Sequence, residues 1–250
     1  MAARVTPPPL EQQTNHDDEL ILVYVWQWPI RIVHWLLVLS ILTLSVTGYY
    51  MHSPFLVSTG PSAWVMGTMR FVHELAGFVL LSALLLRFYW FFAGNQWARW
   101  RAFVPHTKLQ FSGARSMFSY YLFQRREPNP GIGHNPLAAF AYLVIFGLIA
   151  LEALTGLVLF SGVVGSGTLK FFVGWIPRLI DIQYIRTIHY LIMYALAAFV
   201  IQHVYSAIAV NLEEEDGLMG SIFTGWKFVS RRLFASEPDD SKPRVWRRRP

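Results

Sequence analysis

Of the eight histidines in this 250-residue chain, four fall inside long apolar runs: His34, His73, His189 and His203. An ionisable side chain is costly inside a bilayer and as a rule faces the interior of a helix bundle, so such histidines are candidates for function. Neutral imidazole is also a metal ligand that brings no charge into the membrane. His189 and His203 are fourteen residues apart. On a helix that is about 40° short of four turns and ~21 Å along the axis, so the two share a face and differ in depth.

The elements that must carry these side chains follow from hydropathy. The chain is 54% hydrophobic and 14% charged, whereas soluble domains carry about a quarter charged residues. Its apolar residues gather in four runs, 30–50, 69–92, 137–160 and 185–210, each near the ~20 residues that cross ~30 Å of hydrocarbon. Lipid leaves backbone groups no outside partner, so each run is expected to be helical. Arg99, Arg101, Lys108, Arg115, Arg125 and Arg126 lie between the second and third runs. Lys227, Arg231, Arg232, Lys242, Arg244, Arg247, Arg248 and Arg249 follow the fourth. The positive-inside rule places both groups in the cytoplasm. The expected fold is all-α: an integral membrane four-helix up-down bundle with both termini cytoplasmic, and short interfacial helices at 114–126 and 171–182, where aromatics mix with charge.

Residues 1–20 hold Pro7, Pro8 and Pro9 and an acidic stretch without a basic leader, and read as a disordered cytoplasmic tail. Residues 21–235 form the membrane domain and 236–250 a basic cytoplasmic tail. No internal repeat is evident. The net charge of +6 is explained by topology and implies no nucleic-acid partner. The absence of cysteine excludes disulfides, thiolate metal sites, iron-sulfur clusters and covalently attached c-type haem.

Orientation sorts the histidines by depth: His34 and His203 near the cytoplasmic face, His73 and His189 near the outer one. Imidazoles from two facing helices supply both axial ligands of a haem iron. The arrangement therefore predicts two b-type haems stacked across the bilayer, with His34 paired to His203 and His73 to His189. Gly48 lies fourteen residues after His34, on the same face at the depth of the outer pair, where a missing side chain leaves room for a porphyrin. Arg87, fourteen after His73, and Arg186, one turn before His189, are candidates to bind haem propionates, with snorkelling to the interface as the alternative. Gly77 and Gly156 read as packing positions. Glu152 has two readings, proton or quinone chemistry and a hydrogen-bonded structural acid. His16, His52, His106 and His134 read as solvated tail or loop residues.

Several blocks of sequence carry a family resemblance: YVWQWPIRIVHW from Tyr24, RFVH from Arg70, RFYWFFAGN from Arg87, GHNPLA from Gly133, LTG from Leu154, HVYSAI from His203 and MGSIFTGWKF from Met219. In these the chain resembles the b-type cytochrome subunit of membrane-bound NiFe hydrogenases, which is similar to the cytochrome b subunit of formate dehydrogenases. The resemblance covers nearly the whole chain from Tyr24 to Phe228 and puts the family's haem ligands on His34, His73, His189 and His203. It implies partners: the iron-sulfur small subunit of a periplasmic hydrogenase, through it the large subunit, and quinone reduced at the cytoplasmic end of a subunit in the bacterial inner membrane. Other readings remain open, namely a diheme quinone-linked subunit of a formate dehydrogenase or thiosulfate reductase, or a haem-free membrane anchor or transporter.

Overall fold

The structure is a computed structural model that describes residues 20–55, 64–104, 107–122, 124, 132–133, 136–214, 217–235 and 245–246. The expected tail at 1–20, apart from Leu20, lies outside the described residues, as do His16, His106, His134 and all but two residues of the tail at 236–250.

Four helices are long and apolar enough to cross a membrane. They are α1 (Trp28–His52), α2 (Val65–Ala93), α4 (Pro136–Val164) and α6 (Ile182–Glu214), each a little longer than its apolar run. Pro29 sits in the first turn of α1, where a missing N–H leaves no bond unmade. Around the bundle α1 packs on α2, α2 on α4, α4 on α6 and α6 on α1. Leu39, Leu42, Val46, Phe71, Leu75 and Ile201 are exposed on its outside, the surface that lipid would cover. Within, Val33, Leu37, Leu80, Ala83, Ile149, Ile192 and Leu196 form an apolar layer at mid-depth. With lipid as the alternative surroundings, these side chains hold the helices together by close packing rather than by transfer out of water.

Between the spans lie α3 (Lys108–Tyr121), which packs on α4, and α5 (Gly167–Val173), followed by a 3-10 turn at Ile176–Arg178. These answer to the two expected interfacial segments. Val158, Val173 and Ile185 close the bundle at the α5 end, while Phe171, Phe172 and Trp175 remain exposed there.

The other end carries a device that the hydropathy pattern does not show. Strand β1 (Leu20–Tyr24) pairs antiparallel with β2 (Trp226–Ser230) and with β3 (Val245–Trp246), giving the order β2-β1-β3. A short helix, α7 (Leu218–Thr224), leads into β2, and α8 (Arg231–Ala235) follows it. Gly225 joins α7 to β2 with φ 88°, a left-handed conformation that glycine adopts without steric cost. Its carbonyl accepts from the backbone of Val25 and Trp26, and the Trp26 indole donates to Ser221 Oγ at 3.1 Å. Val23, Val25, Trp26, Trp97, Ile132 and Val229 form the core of this cap. The sequence blocks around Tyr24 and Met219, almost two hundred residues apart, are thus one structural unit.

A polar lock holds the cap to the bundle. Gln27 Oε1 accepts from Trp90 Nε1 at 2.9 Å and from the Asn95 backbone N–H at 3.0 Å, while Asn95 Nδ2 donates to the Val25 carbonyl at 2.8 Å. The start of α1 is thereby fixed to the end of α2. Gln27→Ala strands two donors and is expected to cost about 1–3 kcal/mol for each one left dry. The thermal midpoint of the detergent-solubilised protein should fall, and Gln27→Glu, which keeps an acceptor, should fall less.

Candidate functional site

The bundle brings the four intramembrane histidines together as two pairs. His73 on α2 and His189 on α6 face each other with ring centroids 6.3 Å apart, and His34 on α1 and His203 on α6 do so at 6.4 Å. All four rings are partly buried. All of the mid-depth apolar layer but Val33 lies between the two pairs, and the fourteen residues from His189 to His203 separate them by ~21 Å along α6.

Two metal–nitrogen bonds of about 2 Å each, together with the ring radii, place the centroids of two imidazoles on one metal roughly 6 Å apart. Both pairs have that spacing. Among the described residues no group of three or more His, Cys, Asp or Glu could hold a metal ion, so each site offers only two protein ligands. A metal that brings its own equatorial ligands suits such a site, as iron does in haem.

The hydrogen bonds around His73 and His189 suit a proton on Nδ1 of each ring. Thr47 Oγ1 donates its single proton to the Thr43 carbonyl at 2.7 Å, and lies 2.9 Å from His73 Nδ1. Having spent that proton, the hydroxyl can only accept from Nδ1–H. Thr155 does the same, donating to the Leu151 carbonyl at 2.9 Å and accepting from His189 Nδ1 at 2.9 Å. With Nδ1 protonated, Nε2 of each ring keeps its lone pair, the tautomer an Nε2 metal ligand requires. His203 Nδ1 has the Tyr142 hydroxyl at 3.3 Å, and its ring stacks on Phe199. His34 Nδ1 is buried without a partner among the described residues.

The glycines repeat the threonine pattern. A Cβ on Gly48 would stand 3.2 Å from His73 Cε1, and one on Gly156 would stand 3.3 Å from His189 Cε1. The His73 imidazole thus borders the space that Gly48 leaves. Gly156, which the sequence reads as packing, holds the equivalent place on α4. Gly77 has nothing within 4 Å of such a Cβ. A Thr-Gly dipeptide on α1 serves a histidine on α2, and another on α4 serves one on α6. The same local arrangement thus occurs at 47–48 and 155–156.

The remaining candidates fall elsewhere. Arg87 is 4% exposed; both terminal nitrogens donate to the Ala98 carbonyl at 3.1 Å, and its guanidinium lies over Phe91, Phe103 and Phe146. Those partners anchor the loop after α2, and none belongs to either pair. Arg186 is exposed and donates to Gln183 Oε1 at 2.8 Å. Glu152 Oε2 lies 3.3 Å from His189 Nδ1 but out of hydrogen-bond geometry. His52 is not a loop residue: it ends α1 and stacks on Tyr190 at 3.8 Å.

Comparison with known proteins agrees with this architecture. The family model described as prokaryotic cytochrome b561 matches residues 25–225. A probable Ni/Fe-hydrogenase B-type cytochrome subunit of Rhizobium leguminosarum bv. viciae is 34% identical over 223 residues, covering 87% of this chain and 91% of its own. One of Azotobacter chroococcum is 36% identical, covering 82% and 88%. The probable Ni/Fe-hydrogenase 1 B-type cytochrome subunit of Escherichia coli K12 is 32% identical, covering 84% and 92%.

Proposed function

The chain belongs to the prokaryotic cytochrome b561 family, and from that premise we propose that it is the membrane electron-transfer subunit of a NiFe hydrogenase, holding two b haems and passing electrons from an iron-sulfur small subunit to quinone. The observation that carries the reading is the pair of facing histidine couples, at 6.3 and 6.4 Å, near opposite ends of one bundle. When bound, each haem supplies a one-electron carrier whose potential is set by its ligands and surroundings.

The chain's own residues do the positioning. His73 and His189 hold one group, and His34 and His203 the other. Thr47 and Thr155 fix the ligand tautomer, Gly48 and Gly156 admit the rings, and the layer around Leu37, Leu80 and Leu196 keeps water out between them. Arg186, one turn outward from His189, is free to meet a propionate at that level, whereas the partners of Arg87 support a structural role. The basic residues after α2 and after α6 support a topology with both termini and the sheet cap in the cytoplasm of a bacterial inner membrane. The His73/His189 level then faces the periplasmic hydrogenase, and the His34/His203 level faces the quinone-reducing side.

The test is on the complex purified from membranes through a tag on this chain. A nickel-containing partner, about two b haems per chain by pyridine haemochrome, and reduction of those haems on adding hydrogen are expected. A haem-free preparation overturns the electron-transfer reading. Haems reduced by formate but not by hydrogen overturn the hydrogenase assignment alone.

A further inference from the structure

Arg31 stands one turn before His34 on α1. A terminal nitrogen of its guanidinium donates to the Phe223 carbonyl at the end of α7. Its Nε is buried and has no partner among the described residues. Arginine does not lose its proton in proteins, so this is a permanent donor on a charged group, and leaving it dry and unpaired is costly. An acceptor beyond the described residues would satisfy it. The Nδ1 of His34, three residues on, is buried and unpartnered too, so the orphaned donor lies beside the histidine level.

The position has a pattern behind it. Arg31 precedes His34, Arg70 precedes His73 and Arg186 precedes His189, each by three residues. On a helix that spacing puts the cation on the same side as the imidazole, one turn nearer the helix start. All three helices begin within eight residues of their arginine, so each cation lies between its histidine and the bundle end. Arg87, another cation toward the His34 end, is already committed to Ala98 and three phenylalanines.

We infer that Arg31 Nε donates to a carboxylate of the group held between His34 and His203, so that this side chain binds a haem propionate while strapping α7 to α1. The assignment rests on the haem reading above. A planar guanidinium serves both tasks at once, since its terminal and Nε protons point to different acceptors. A cation at that carboxylate favours the reduced haem, because reduction adds negative charge beside it.

The test uses the full-length protein in its complex, with optical redox titration of both b haems. Arg31→Gln, which keeps a donor and removes the charge, is expected to lower the midpoint of one haem, the one that His34→Ala removes. A tenfold change in its reduction equilibrium corresponds to about 59 mV for one electron. Arg31→Lys should shift it less, and the other haem should keep its midpoint. Should Arg31→Gln fail to assemble, Arg31→Lys is read by reduced-minus-oxidised infrared difference spectroscopy, where a change in the carboxylate bands supports the contact and unchanged bands overturn it. Two haems with unchanged midpoints in Arg31→Gln would make Arg31 a strap to Phe223 and nothing more. A chain without b haem overturns the haem reading itself, a result distinguishable from either.

Discussion

Replacing His73 with alanine is expected to remove one b haem and leave the second in place, and His189→Ala is expected to remove the same one. The two rings of that pair stand 6.3 Å apart on different helices, and no third His, Cys, Asp or Glu joins them as a metal ligand among the described residues. An iron deprived of one imidazole has no substitute ligand within the pair. His34→Ala and His203→Ala should remove the other haem. Because the partners of a pair act as a unit, the double substitution His73→Ala/His189→Ala should lose no more than either single one, a fully non-additive result. Taking one histidine from each pair should leave none. Pyridine haemochrome assay gives the count, and a redox titration tells which haem remains. If His34→Ala and His73→Ala extinguished the same component, the pairing would be wrong.

That pairing was legible in the sequence because it needs only spacing and orientation. Four apolar runs define the spans, their up-down order sets which ends lie together, and a helical rise of ~1.5 Å per residue sets depth. What sits beside the ligands was less legible. A threonine in a membrane helix commonly donates to the carbonyl four residues back, and Thr47 and Thr155 do so. Only the crossing of α1 on α2 and of α4 on α6 shows that each hydroxyl also meets an imidazole. The cap was invisible for another reason. LILVY at 20–24 and WKFVS at 226–230 are short and far apart, and β1 reads as part of the apolar approach to α1. Their pairing depends on chain ends meeting in space, which local periodicity does not encode. Arg87 shows the limit of face arguments: fourteen residues put it on the face of His73, yet a long flexible side chain goes where its acceptor is, and the Ala98 carbonyl lies in the following loop.

Gly48→Leu is expected to cost the protein the same haem as His73→Ala. A Cβ at this position already stands 3.2 Å from His73 Cε1 and 3.7 Å from Nδ1, with Met193 Sδ at 3.8 Å on the other side. Alanine therefore asks the imidazole to move by a few tenths of an ångström, a strain of about 0.5–1.5 kcal/mol if the ring leaves its rotamer minimum. The expected result for Gly48→Ala is a haem retained with a shifted midpoint. Leucine adds three more carbons where the ring lies, and the ring has to leave. Its 2.9 Å bond to Thr47 and its alignment with His189 are lost together, so the effect is close to all-or-none rather than graded. Gly156→Leu should reproduce it from the opposite side, since its Cβ would meet His189 at 3.3 Å. A Gly48→Leu protein with both haems at their original midpoints would show that the imidazole does not need the contact, and would take Gly48 out of the site.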